Sequence, residues 1–265
     1  MDSFDSFKAA QKQSWAYFAP YEAHTTPCAA MLVKRAGVKP GQHVLDVACG
    51  TGVVSVTAAR LGAHVTGLDL TPELLERARE NARIAGVAID WHEGDAEKLP
   101  FGDAAFDVVL SEFGHIFAPR PDVVLGEMLR VLKPGGTIAF STWPPELFVG
   151  RMFALTASYL PPPPPGAAPP PLWGDPSVVR QRLGSAVKDI HFDRATMVIP
   201  ALSPSHHRTA AEKSAGAVVR LVAALEGSDP ARLAQFRKEY DVLAGEYFGD
   251  NLVRQDYLIT RATKV

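Results

Sequence analysis

Apolar residues alternate along this chain between two patterns. Short runs rich in Val, Leu, Ile and Phe occur at 43–47, 64–69, 88–92, 106–111 and 137–143. Between them, over 53–61, 72–85 and 121–132, apolar residues return every three or four positions. The short runs, bounded by Gly, Pro and Asp, read as buried strands, and the longer periodic stretches read as helices. Strand and helix in strict alternation predict a parallel sheet with helices on both faces. Thr71-Pro72 marks one helix start, with Thr71 as cap and Pro72 at the first helical position, and Gly86 marks its end. Thr26-Pro27 carries the same signal and predicts a helix from there to about Arg35, stopping near Gly37. Upstream, Phe4, Phe7, Trp15 and Phe18 share one face of a helix over 3–18.

After residue 143 the pattern changes. Residues 161–171 hold eight prolines, which favour polyproline II over helix. Such a tract serves either as a rigid loop over a pocket mouth or as a ligand for a proline-binding module. Its shortness, its lack of basic flanks and its place inside a domain favour the loop. Beyond it, 188–202 predicts a strand, 208–225 and 230–247 helices, and 255–263 a final strand.

A length of 265 residues with 47% apolar content suits one large α/β domain with an elaboration. We divide it into a helical lid (1–38), a core (39–143), a substrate-side cap (144–253) and a last strand (254–265). A formal charge of −2 gives no electrostatic footprint for nucleic acid. The two cysteines, Cys28 and Cys49, make neither a disulfide framework nor a metal site, so no metal is expected and a reducing, cytoplasmic setting is. No run approaches the ~20 apolar residues of a membrane span. Asp2, Asp5 and Lys8 leave no apolar signal core at the start. Oligomeric state is left open.

The densest chemistry lies at Asp46-Val47-Ala48-Cys49-Gly50-Thr51-Gly52, directly after the first strand, with Asp69 ending the second. A Gly-rich turn between strand and helix lets backbone approach a ligand, and a carboxylate at the end of the next strand accepts both hydroxyls of a ribose. Dinucleotide enzymes use G-x-G-x-x-G at this place, but here Ser55 replaces the third glycine. Asp46 would repel a pyrophosphate and attract an ammonium. A ribose at Asp69 with a cation near Asp46 describes S-adenosylmethionine better than a nicotinamide dinucleotide.

Further segments follow in register: Gly94 to Phe101, Phe106 to Ser111, and Leu129 to Thr137. With Val44 to Gly52 and Asp69-Leu70, they resemble the class I S-adenosylmethionine-dependent methyltransferases over about residues 40–143. Within that class the sequence is most similar to the bacterial ubiquinone/menaquinone-type small-molecule enzymes. The resemblance implies a doubly wound, mostly parallel, seven-stranded sheet closed by an antiparallel pair, with helical cap elements. It implies a cofactor site of Asp46, Ala48, Gly50, Gly52, Asp69, Leu70, Asp95, Ala96 and Ser111. Leu70 would pack on adenine and Asp95 would accept its exocyclic amine. Ala48 stands where many members have glycine.

His115, four residues past Ser111, is the best-placed titratable group for a catalytic base; the competing account gives it only a structural role. Glu112 is the rival base. Ser111-Glu112-Phe113-Gly114 is not the Asn/Asp-Pro-Pro-Tyr of base and amide methylation, and the paired acids of a magnesium-dependent catechol enzyme are missing. Trp15, Tyr17, Phe113, Trp143 and Trp173 are candidate substrate contacts. Without a basic cluster, they favour a neutral, partly apolar small molecule as methyl acceptor. His206-His207-Arg208 reads as an exposed polar turn. A nicotinamide-dependent reductase and a non-catalytic cofactor sensor are the alternatives.

Overall fold

The computed structural model describes residues 3–265. Its sheet has the order β3-β2-β1-β4-β5-β8-β6. The strands are β1 (His43–Val47), β2 (His64–Asp69), β3 (Asp90–Glu93), β4 (Phe106–Glu112), β5 (Leu132–Thr142), β6 (Val187–Pro200) and β8 (Leu252–Lys264), with a short β7 (Phe248–Gly249) paired to β8. The first five are parallel, and β8 runs antiparallel to both β5 and β6. This is the doubly wound, mostly parallel sheet with a terminal antiparallel pair that the resemblance implies, with the two-residue β7 as an eighth strand beyond the expected seven. Strand β1 is buried on both faces because helices cover both, and Val44, Leu45 and Val47 are fully enclosed.

The core helices are α3 (Val53–Arg60), α4 (Pro72–Ala85) and α5 (Pro121–Val131). Helix α4 starts with Thr71 at the N-cap position, without a side-chain capping bond, and Pro72 at the first helical position, and it closes on Gly86 in the left-handed conformation. Thr26-Pro27 behaves differently. Helix α2 (Glu22–Ala36) starts earlier, out of a tight turn at Ala19–Tyr21, so Pro27 lies inside it. Thr26 caps nothing; its Oγ1 bonds back to the Glu22 carbonyl at 2.7 Å. Helix α2 then ends at Gly37, φ 69°.

The cap differs most from expectation. Helices α6 (Phe148–Tyr159) and α7 (Pro176–Leu183) were not predicted. The stretch taken as one helix over 208–225 is two, α8 (Pro204–Ser214) and α9 (Gly216–Leu225), broken at Ala215, whose backbone is extended. Gly216 lies against Ser14 of α1 (Ser3–Trp15), where an added Cβ would come within 3.1 Å of the Ser14 Cβ. Helix α10 (Pro230–Gly245) packs on α6 and α8. Thus α1, α6, α8, α9 and α10 form a helical layer beyond the strand ends.

One glycine couples this cap to the sheet. An added Cβ on Gly174 would collide with the Trp143 carbonyl and the Pro144 nitrogen just past β5. Gly174→Ala should therefore lower unfolding stability by about 1–3 kcal/mol, as overpacking does. Gly227→Ala, whose Cβ meets nothing within 4 Å, should be nearly silent in the same urea titration.

Candidate functional site

The chain leaves β1 through a turn in which Ala48, Gly50 and Gly52 all have positive φ, at 54°, 54° and 78°. Only the glycines adopt this without strain. The Cys49 amide bonds the Leu68 carbonyl at 3.0 Å and ties the turn to β2. From the other side Gly114 presses on it: a Cβ there would sit 2.5 Å from the Ala48 Cβ. At Gly50, by contrast, a Cβ would meet nothing, because this part of the turn faces open space.

Asp69 grips the same turn. Its Oδ2 accepts from the Gly50 amide and its Oδ1 from the Thr71 amide, each at 2.8 Å. Burial raises its pKa above the ordinary carboxylate value, and the two backbone donors oppose that shift. Asp46 accepts from Ser55 Oγ at 2.6 Å through Oδ2, while its buried Oδ1 has no partner. Burial pushes its pKa up to about 7, and the neighbouring Asp69 adds to that. An orphaned carboxylate oxygen beside an open glycine fits a ligand that brings an ammonium, and Asp69 is placed for the ribose of the same ligand. Among the described residues, no cluster of three His, Cys, Asp or Glu side chains is arranged to hold a metal ion.

This cradle is one end of a cavity of about 660 Å³ that continues into the cap. Helix α1 lies across it. Lys8 pairs with Asp95 at 2.6 Å and with Glu97, which also takes Arg120 at 2.6 Å. Gln11 donates to the Phe117 carbonyl at 3.2 Å, and Trp15 meets the Phe117 ring at 4.4 Å. Beyond α1 the walls are apolar, built from Phe148, Met152 and Phe153 of α6 and from Pro161 to Pro164 of the proline tract.

Of the residues picked out from sequence, Asp46, Ala48, Gly50, Asp69, Leu70, Asp95, Ala96, Trp15, Phe113 and Trp143 all line this cavity. Phe113 and Trp143 stack at 4.0 Å. Asp95 is already engaged, by Lys8 and by the Glu97 amide at 2.9 Å.

Five others are not on the cavity wall. Gly52 is glycine for packing: a Cβ would lie 2.6 Å from the Trp91 ring. Ser111 is a structural tie, its Oγ donating to the Val47 carbonyl at 2.7 Å and accepting from the His115 amide at 3.1 Å. Tyr17 is 55% exposed. His115 and Trp173 pack together at 4.7 Å off the cavity wall, and Phe140 joins them, 4.8 Å from the imidazole and 5.6 Å from the Trp173 ring. Neither His115 ring nitrogen has a partner, and burial pushes its pKa down to about 3. His115 is thus enclosed and off the cavity wall, which counts against its role as the base.

The cavity instead holds Glu112, the rival base, and His207, which the sequence placed in an exposed polar turn. Glu112 lines it with both carboxyl oxygens buried and unpartnered. Burial and the nearby Asp46 raise its pKa well above the ordinary glutamate value. His207 is buried too, its ring nitrogens each 3.2 Å from Tyr240 Oη and Gln255 Nε2. Only the first half of the predicted polar turn is exposed: His206 bonds the Leu202 amide outside. The apolar spacing of Tyr240 and Phe236 on α10 was the one signal that could have placed an inward partner beside His207.

Residues 45–140 match a family described as a methyltransferase domain. Over 257 residues, 96% of this chain and 93% of the other, the sequence is 37% identical to the uncharacterized protein Rv1403c of Mycobacterium tuberculosis. It is 45% identical over 115 residues to the ubiquinone/menaquinone biosynthesis C-methyltransferase UbiE of Ruegeria sp., covering 41% of this chain and 46% of that one. Among solved structures, the YcgJ protein from Bacillus subtilis superposes with a TM-score of 0.61 at 19% identity, over 89% of this chain and 97% of that one.

Two outcomes test the cradle by calorimetry with S-adenosylhomocysteine. Asp69→Ala should weaken binding by about 30- to 1,000-fold, the loss of two charge-assisted hydrogen bonds worth about 2–4 kcal/mol. An unchanged dissociation constant would contradict the ribose assignment. Asp46 stays protonated in the free folded chain up to about pH 7, whereas its ordinary value is 3.8. The folded chain therefore binds the extra proton between these values, and the stability linked to Asp46 falls as pH rises through that window. A ligand ammonium favours the ionised form, so binding should tighten by about tenfold from pH 6 to pH 8. Asp46→Asn should flatten this dependence.

Proposed function

The chain belongs to the class I S-adenosylmethionine-dependent methyltransferases, and from that premise we propose that it methylates a small, largely apolar molecule seated in the chamber above the cradle. The observation that carries this reading is the continuity of the cavity. One end has the open turn at Gly50 with Asp46 and Asp69; the other is walled by aromatic and proline side chains of the cap. When bound, S-adenosylmethionine supplies a methyl group already activated by its sulfonium. The protein then has to align a nucleophile and keep water out. Asp69 would hold the ribose, and Asp46 would hold the ammonium with its free Oδ1. Trp15, Phe113 and Trp143 would shape the acceptor's side of the chamber. The nicotinamide reading of the Gly-rich turn falls with the family assignment.

Glu112 is the group we assign to the nucleophile. It is the last residue of β4, adjoins Asp46 electrostatically, and offers two buried oxygens with no partner among the described residues. A carboxylate whose pKa is raised by burial is a stronger base than one in water, and an acceptor hydroxyl, thiol or amine would complete its hydrogen bonding. The free, buried state of Cys28 and Cys49 supports a reducing, cytoplasmic setting. No helix among the described residues is long and apolar enough to cross a membrane.

The direct test follows label from methyl-labelled S-adenosylmethionine into small apolar acceptors, with S-adenosylhomocysteine as the second product. Label transfer supports the reading; cofactor binding without turnover across a broad acceptor panel would speak for a sensor instead. With an acceptor in hand, Glu112→Gln should lower kcat by about 10²–10⁴-fold and remove the acidic limb of the pH–rate profile, leaving cofactor affinity unchanged. Retained kcat and an unaltered profile would confine Glu112 to shaping the pocket.

A further inference from the structure

Helix α9 has ten residues, Gly216 to Leu225, and one charged side chain, Arg220. Val218, Leu221 and Leu225 are buried in the core. The adjoining stripe, Gly216, Ala217, Arg220 and Ala224, lines the chamber. That spacing is one face of a helix. Three of its members are too small to reach inward, so Arg220 is the only long side chain the helix presents there.

Arg220 has no counter-ion among the described residues. Its Nε is buried without a hydrogen-bond partner, and burial pulls its pKa below the ordinary arginine value with no acidic neighbour opposing the shift. The other cationic side chain on the wall, Lys8, is committed to Asp95 and Glu97. His207 is held neutral by burial, its pKa pushed down to about 4. The wall's carboxylates, Asp46, Asp69, Asp95 and Glu112, belong to the cradle side, whereas α9 packs on the cap helices α1, α6, α8 and α10. A half-buried guanidinium without a partner costs desolvation free energy that nothing in the chain offsets. It also presents a planar fork matched to a carboxylate.

We propose that Arg220 is a specificity-determining residue of the chamber, and that the acceptor is an apolar molecule bearing one carboxylate, bound by this guanidinium in the cap wall. A single uncommitted cation suits a monoanion; a doubly charged phosphate would leave one charge unmatched in an apolar enclosure. The proposal rests on the chamber being the acceptor site and replaces the neutral acceptor expected from sequence. That expectation came from the lack of a basic cluster, and one half-buried, unpaired arginine is not a cluster.

The test is calorimetry on the full chain, with and without S-adenosylhomocysteine. The probes are octanoate, 3-phenylpropionate and 1-naphthoate, each beside its uncharged amide. The native chain should bind at least one acid about 10- to 100-fold more tightly than its amide, the effect of a charge-assisted, partly desolvated pair. Arg220→Met should abolish that difference while leaving amide and S-adenosylhomocysteine affinities unchanged, and Arg220→Lys should restore part of it. Equal or undetectable binding of acid and amide by the native chain across the panel overturns the proposal, and that comparison needs no variant. Loss of S-adenosylhomocysteine affinity in Arg220→Met also overturns it, because the guanidinium would then serve the cofactor's own carboxylate. A native chain that selects acids through Arg220 but does not bind S-adenosylhomocysteine would sustain the anion site and defeat only the methyltransferase reading it serves.

Discussion

The site depends on how Asp69 is bound. Its two oxygens hold the amides of Gly50 and Thr71, so one buried carboxylate fixes both the turn after β1 and the start of α4. A carboxylate has about four acceptor positions, so these bonds leave capacity for ligand hydroxyls. If Asp69 moved, the turn would lose its acceptor at Gly50, and the open side of the cradle would have no defined width. Asp46 lies next to it and is destabilised in its charged form by the same burial. The free protein thus stores an electrostatic cost at the cradle that a cationic ligand relieves.

The cap extends this logic. Lys8 reaches from α1 to Asp95 and Glu97, and Arg120 meets Glu97 from the start of α5, so the lid helix is fastened by buried and half-buried ion pairs rather than by apolar contact alone. Pairs of this kind are costly to break singly because the remaining charge is left uncompensated. Lys8 also occupies one oxygen of Asp95, the residue expected to meet adenine. On the expectation that Asp95 meets adenine, cofactor recognition and the position of α1 share a side chain. Along the chamber, unsatisfied groups stand by the cradle, at Asp46 and Glu112, and in the cap, at Arg220. Native interiors seldom leave such groups unpaired unless a ligand completes them.

The sheet was legible in the sequence because burial on both faces turns each parallel strand into a short apolar run between turn residues. The cradle was legible because its roles demand particular residue types: no side chain at Gly50, an acid at Asp69. The cap was not legible for reasons particular residues show. Thr26-Pro27 and Ser203-Pro204 carry the same local signal. Ser203 does cap α8, accepting from the His206 amide at 3.0 Å, whereas Thr26 lies inside α2. The difference comes from what precedes each pair: the turn at Ala19–Tyr21 already launches α2. His115 and Glu112 were exchanged for a similar reason. Glu112 ends β4 and His115 opens the short helical turn His115–Phe117 beyond it, and position along the chain alone does not say which of them faces the cavity. His115 belongs with Phe140 and Trp173 on one side, Glu112 with the cavity on the other. Arg220 was invisible because its meaning lies in the absence of a partner, which only the folded chain reveals.

A crystal structure of the chain with S-adenosylhomocysteine bound tests the central claim most directly. The account requires the ribose hydroxyls on Asp69, the ammonium on Asp46, and the sulfur facing the chamber on the Glu112 side. A sulfur turned toward the enclosed His115 and Trp173, or a ligand that leaves Asp46 and Asp69 untouched, would contradict it.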